Sequence, residues 1–477
     1  MKKIVAISWL FIFYAVGSLA QDLMVADIFS NNMVLQQASD VPVWGTAKAG
    51  TTVTITPSWN KKMVSAVTGK DGKWKIILQT PVAGGPYSVA IKGETKIELK
   101  NVYLGEVWLA SGQSNMSMPL KGYYCQPVMN SNQAILASGG KNFHFINIPS
   151  RAAHKPQEHF KAQWIVATPE TVGECSAVAW FFADLIHRQL TVPVGIINAS
   201  FGGSNVEAWM TPEACKKDTD IKIPPLSDEI SEYTNNVPTT MYNAMIYPVA
   251  GYGIRGMIWY QGESNVFSVS KYASHFTWMV DSWRKIWNQG NFPLYYAQIA
   301  PYEYKEWNFF TPEYPEISAY IREAQLDCSN SIPNCGMAVL LDVGEQYLIH
   351  PPKKQEVGER LALLALSKTY GQKGFEAESP QYDSLHIEGD KAYIYFKDQF
   401  NGITCYGKDL TEFEIAGDNR VFQKADAYID WDKGYVVVSS HLVSKPVAVR
   451  YAFKNFVQAE LFGTGGLPVS SFRTDRW

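Results

Sequence analysis

The chain has 477 residues, with 42 Lys and Arg against 45 Asp and Glu, for a formal net charge of −3. That balance leaves no basic excess for a nucleic-acid or anionic-membrane partner. At roughly 150 residues per domain, the length predicts two to four domains.

In chain order, Met1-Lys2-Lys3, the apolar run "IVAISWLFIFYAV" and the small residues of "GSLA" form an export signal. Residues 1–20 are therefore expected to be removed, with Ser18 and Ala20 preceding the cut. The mature protein is expected in the periplasm or outside the cell. It has no membrane span, because no other stretch approaches the ~18 apolar residues one requires.

Residues 21–103 alternate in period two ("TTVTITPS", "KWKIIL", "YSVAIKG"), broken by "GKDGK" and "AGGP". They predict an antiparallel β module. Residues 104–371 differ: "EVWLA", "PVGIIN", "GMIWY", "LYYAQIA" and "GMAVLLD" are short apolar runs that read as strands buried on both faces. Between them "SAVAWFFADLIHRQL", "SKYASHFTWMVDSWRKIWNQG" and "KKQEVGERLALLALSKTYG" carry helical spacing, the last two ending on Gly290 and Gly371. Strands alternating with helices predict a parallel, doubly wound α/β sheet. Residues 372–477 return to short strands ("KAYIYF", "GYVVVSS", "PVAVRYAF"), a second β-sandwich or jelly-roll module.

Six cysteines, at 125, 175, 215, 328, 335 and 405, include no Cys-x-x-Cys pair and suggest no zinc or redox site. In an oxidising compartment Cys328 and Cys335, which bracket "SNSIPN", are expected to form a disulfide. The 15 Trp and 26 Tyr suit large cores and sugar-stacking surfaces equally.

Ligands of open α/β sheets bind beyond the carboxyl ends of the strands. The residues just after each strand are therefore informative. "EVWLA" leads to "SGQSNM", "VGIINAS" to "FGGSN", "GMIWY" to "QGESN", and "GMAVLLDVG" by a short loop to "IHPP". Singly these are ordinary turns. Together they supply a serine nucleophile, oxyanion donors and a histidine base.

The blocks "LGEVWLASGQSNMSMPL", "GIINASFGGSNVEAWM", "MIWYQGESNV" and "IHPPKKQEVGERLALLAL" resemble, in this order, those of the sialate O-acetylesterase family of SGNH/GDSL-type hydrolases. "MYNAMIYPV", "AVRYAFKNF" and "GLPVSSFRTD" resemble its further signatures. The resemblance implies a flavodoxin-like SGNH domain flanked by β modules, and hydrolysis of acetyl esters on sugars without metal or cofactor. It makes Ser114 the nucleophile and His350 the base. The N–H groups of Ser114 and Gly203 and the side chain of Gln261 are the candidate oxyanion donors. Gln113, Asn115, Glu263, Asn265 and Trp209 are candidate substrate contacts, with Tyr260 and Trp259 nearby.

The base has one unusual neighbourhood. The superfamily places an acid three residues before it, but Tyr347, Leu348 and Ile349 precede His350. The ring is then oriented by Glu345 or Asp342, by a carboxylate elsewhere such as Glu263, or by a backbone carbonyl in a Ser–His dyad; Glu345 is the first choice. With an unperturbed imidazole, activity should rise through a pKa of about 6.5. The expected substrate is a 9-O-acetyl sialic acid, with acetylated xylan or another plant glycan as the alternative. A non-catalytic glycan-binding protein is the reading from a different class.

Overall fold

The computed structural model describes residues 22–231, 234–304 and 315–477. The expected signal peptide lies outside the described residues. Among them, no helix is long and apolar enough to cross a membrane.

One 17-residue strand, β1 (Lys96–Gly112), ties the first region to the second. Its first half pairs antiparallel with Gly84–Lys92, and its second half pairs in parallel with later strands. Burial alternates over residues 96–103 and is continuous over 104–112. A strand with one wet face thus becomes one covered on both faces, without any linker between.

The central sheet continues with β2 (Phe143–Asn147), β3 (Val194–Ser200), β4 (Gly256–Tyr260), β5 (Leu294–Ala297) and β6 (Cys335–Ala338). Its parallel strands lie in the order β2-β3-β1-β4-β5-β6, and Ile165–Val166 adds an antiparallel edge. The first strand of the region is therefore central, with later strands added on both sides. Alternate residues of β1 and β4 face opposite layers. Trp108, Ala110, Ile258 and Tyr260 join one buried cluster. Val107, Leu109, Met257 and Trp259 join the other.

Helices α2 (Ala177–Leu190) and α5 (Lys354–Leu364) cover the first face, while α3 (Val269–Trp287) and α4 (Ile317–Ser331) cover the second. Ser176 caps α2 by accepting from the Ala179 N–H at 3.2 Å. Gly358 lets α5 approach α2 closely, since a Cβ there would lie 2.6 Å from the Val178 carbonyl. Helix α3 stops earlier than Gly290 suggested, because Asn288 adopts the left-handed cap at φ +54°. The π-turn Ala365–Thr369 prolongs α5 nearly to Gly371.

The C-terminal region forms two four-stranded antiparallel sheets and a two-stranded ribbon. It docks through Arg322 of α4, which is fully buried. Arg322 Nε donates to Ser471 Oγ at 3.0 Å, Nη1 to Ser318 Oγ at 3.1 Å and Nη2 to the Lys454 carbonyl at 2.5 Å.

All six cysteines are free thiols. The expected Cys328–Cys335 disulfide is not formed. Cys328 Sγ points from α4 towards the Ala273 carbonyl at 3.8 Å, whereas Cys335 Sγ points to the Ser329 carbonyl at 3.7 Å. Helix and strand aim the two thiols at different partners.

Candidate active site

Ser114 stands where β1 leaves the sheet. At Gly112 the backbone turns at φ +137°, and a Cβ would lie 2.1 Å from the Tyr260 carbonyl, so only glycine lets the chain exit here. The Gln113 N–H then donates to that carbonyl at 3.0 Å. Gln113 Oε1 accepts from the N–H groups of Gly262 and Ser264 at 3.3 and 3.2 Å. The turn that carries Ser114, with α1 (Ser114–Ser117) at its end, is thereby fastened to the loop after β4.

The turn after β3 runs alongside. Phe201 N–H donates to the Gly112 carbonyl at 3.0 Å. A Cβ on Gly202 would sit 3.5 Å from Ser114 Cβ, and Gly203 holds φ +68°. The N–H groups of Ser114 and Gly203 donate to no group among the described residues, so both remain available to an oxyanion.

Gln261 has a different place from the one the sequence suggested. It is fully buried, and its Nε2 donates to the Ser204 carbonyl at 3.2 Å and to Asn265 Oδ1 at 2.6 Å. Both amide protons are occupied within the fold. Asn265 passes the connection on to Glu207 at 3.0 Å, and Glu207 accepts from His275 Nδ1 at 2.7 Å. His275 Nε2 meets Asp218 at 2.9 Å, and Asp218 also accepts from Lys271 at 3.0 Å. Burial would lower the His275 pKa, but the two carboxylates outweigh it and raise it. Asp218 is held well below the usual carboxylate range by a backbone N–H, His275 and Lys271.

Gln113, Asn115, Glu263 and Asn265 are likewise buried. Their polar atoms face one another and the loop backbones, so they brace the turns rather than line an open surface. Trp209 is fully buried too, donating to Ser204 Oγ at 2.9 Å and packing on Trp259 at 6.0 Å. It does not reach the rim, and neither do Trp259 and Tyr260. Among the described residues, exposed rings beside the motifs include Tyr124, Phe267 and Tyr347.

His350 is half-buried, and its Nδ1 lies 2.6 Å from Gln126 Oε1. The amide oxygen accepts, so the proton sits on Nδ1 and Nε2 keeps its lone pair. The three carboxylates considered from sequence are engaged otherwise or lie apart from the ring. Asp342 is gripped by Arg360 at 2.6 and 2.7 Å. Glu263 accepts from Asn115 at 2.5 Å. The Glu345 backbone bridges to Leu348. Among the described residues none of them bonds the imidazole. Burial, and then the charge of Lys354, take the His350 pKa down to about 4, and among the described residues no carboxylate opposes the fall.

Two links bring the Ser114 turn and the His350 loop together. Tyr123 donates from Oη to the Ser114 carbonyl at 3.1 Å, while its ring lies 5.4 Å from the His350 ring. Asn115 donates to the carbonyl of Ile349, the residue before His350, at 3.1 Å. Sequence reasoning singled out neither Tyr123 nor Gln126; "GYYCQPV" is a loop without a motif, and only the fold carries it to the histidine.

The family model described as "Carbohydrate esterase, sialic acid-specific acetylesterase" matches residues 104–364, more than half of the chain. The chain belongs to this family. Sialate O-acetylesterases of Homo sapiens and Mus musculus are each 28% identical to it. The human protein matches over 82% of this chain and 79% of its own, the mouse protein over 74% and 75%. The crystal structure of a carbohydrate acetylesterase from Xanthomonas citri is 32% identical, superposes with a TM-score of 0.85, and covers 95% of this chain and 100% of its own. The protein is thus an ester-hydrolysing carbohydrate esterase.

Proposed function

We propose that this carbohydrate esterase removes acetyl groups from O-acetylated sialic acids, with Ser114 as nucleophile and His350 as base. The observation that carries the reading is the joint placement of a strand-end serine, two uncommitted N–H groups and a histidine whose Nδ1 proton is fixed. Nε2 takes the Ser114 hydroxyl proton as Oγ attacks the acetyl carbonyl. The N–H groups of Ser114 and Gly203 receive the oxyanion, each such donor being worth roughly 10²–10³ in rate. The sugar hydroxyl leaves with the proton from Nε2. Water, deprotonated by the same nitrogen, then releases acetate from Ser114.

Gln126 takes the orienting role in this scheme, in place of Glu345. An amide fixes the tautomer as a carboxylate would, but it does not stabilise the imidazolium to the same degree. Tyr124, Phe267 and Tyr347 are the rings we assign to sugar contact, because they are the exposed aromatics next to the motifs.

We infer further that residues 104–371 form a flavodoxin-like SGNH domain. Without the β2 edge its strands run β3-β1-β4-β5-β6, which is the 2-1-3-4-5 order of that fold. Residues 21–103 and 372–477 are read as its flanking β modules, and export by residues 1–20 as the route to the substrate.

Acetate release from 9-O-acetylated sialic acid and from acetylated xylan, by wild type and Ser114→Ala, tests the reading. Preference for the sialic acid with loss of activity in the variant supports it. Preference for xylan moves the substrate to plant glycans and keeps the mechanism. Equal rates for wild type and variant overturn the mechanism.

A further inference from the structure

Lys354 is the first residue of α5, four positions after His350, and it is fully buried. Its ammonium Nζ donates to Asn115 Oδ1. The same asparagine donates from Nδ2 to Glu263 Oε1 at 2.5 Å and to the Ile349 carbonyl at 3.1 Å. One amide next to Ser114 therefore holds the loop after β4, the start of α5 and the residue before the base.

Removing an ammonium from water costs several kcal/mol, and filling the same volume would need only a methionine. The surroundings offer the charge little else. The Tyr260 ring centroid lies 5.7 Å from Nζ. Glu263 is the carboxylate of the cluster, and it is reached through Asn115; its Oε2 has no partner among the described residues. Burial lowers the Lys354 pKa to about 7, with Glu263 opposing the fall. Near pH 4, where the imidazole titrates, Lys354 is charged.

We propose that Lys354 is a positioning residue for the esterase reaction: through Asn115, which its ammonium holds, it registers the loop that carries His350 against the turn that carries Ser114. The inference rests on the Ser114–His350 reading. Groups from several elements bear on the ring. Tyr123 and Gln126 come from the loop after α1, Lys354 from α5, and Glu263, across Asn115, from the loop after β4. Asp342 is neutralised by Arg360, and Lys353 donates to the Asp342 carbonyl. Glu345 lies on the base loop itself. Lys354 is the cation of the set that lowers the imidazole pKa.

The test is the pH dependence of kcat/KM for acetate release from 4-nitrophenyl acetate, for wild type, Ser114→Ala, Lys354→Met and Glu263→Gln. Lys354→Met should move the acid limb upward by about half a unit or more, since a like charge near the imidazole has been removed. Glu263→Gln should not raise it, because that change removes negative charge from the same cluster. A limb that stays in place in Lys354→Met, or rises equally in both variants, overturns the proposal. Should Lys354→Met fail to fold, Lys354→Gln, which keeps a donor towards Asn115, carries the same expectation. If Ser114→Ala matches wild type, the esterase reading fails and the Lys354 role falls with it; an inactive Ser114→Ala beside an unmoved Lys354→Met limb sinks the Lys354 role alone.

Discussion

Gln126 and His350 are 224 residues apart in the chain, yet Gln126 Oε1 and His350 Nδ1 lie 2.6 Å apart. A neutral amide thus occupies the position where serine hydrolases commonly keep a carboxylate. Replacing such a carboxylate by its amide in a serine protease costs about 10⁴ in kcat, through the wrong tautomer. Here the amide oxygen already selects the useful tautomer. Gln126→Ala should lower kcat by roughly ten- to a thousandfold while leaving the melting temperature nearly unchanged. Gln126→Glu should raise the imidazole pKa and move the acid limb of kcat/KM to higher pH. Steady-state rates across the acid range check both.

The wild-type pH profile is set by the same pair. As the proposed base, His350 must be neutral to accept a proton, so activity should be lost as pH falls through its pKa. Burial and Lys354 bring that pKa to about 4, so kcat/KM should be flat through mildly acidic pH and fall only near there. An acid limb at the ordinary value of about 6.5 would mean that the ring is solvated or paired with a carboxylate.

Behind the oxyanion turn, His275 joins Glu207 and Asp218 in a buried cluster. The His275 pKa is raised, so its contribution is present below the ordinary imidazole value and lost as pH rises through the folded one. The carboxylate pKa values are lowered, so theirs is present above the ordinary carboxylate range and lost as pH falls. His275→Ala leaves two buried carboxylates short of a partner and should cost about 3–5 kcal/mol near neutrality. Denaturant titrations should show that deficit shrinking towards both pH extremes.

Arg322 joins α4 to the C-terminal sheets through bonds to Ser471 and the Lys454 carbonyl. Arg322→Met should weaken that docking before the central sheet melts. Limited proteolysis should then release a fragment at the 371–380 connection, which wild type resists.

The legible part of the site was the part that comes straight after apolar strands. Ser114, Gly203 and His350, to which the proposed mechanism gives roles, stand directly behind such runs or a short loop later, where local pattern marks them as candidates. Gln126 and Lys354 act across the fold, and neither sits in a pattern that marks a partner. Gln261 and Trp209 were found, but their direction was not: whether a side chain faces a rim or a core depends on the layer packed against it. Helix α4 escaped notice because Ser318, Arg322 and Gln325 interrupt its buried stripe, and these polar residues are the ones that hold the C-terminal module and the loops at the site. The antiparallel strands on either side of the central sheet were legible from their alternation, but the continuity of β1 across residue 103 was not, since a change in burial along one strand looks like a boundary.

In the proposed mechanism Ser114 carries the acetyl group between attack and release. Mass spectrometry of protein quenched rapidly during turnover of an activated acetyl ester tests it directly. A transient acetyl adduct is expected on the peptide containing Ser114, and none in Ser114→Ala. An adduct on another residue, or full turnover by Ser114→Ala, would contradict it.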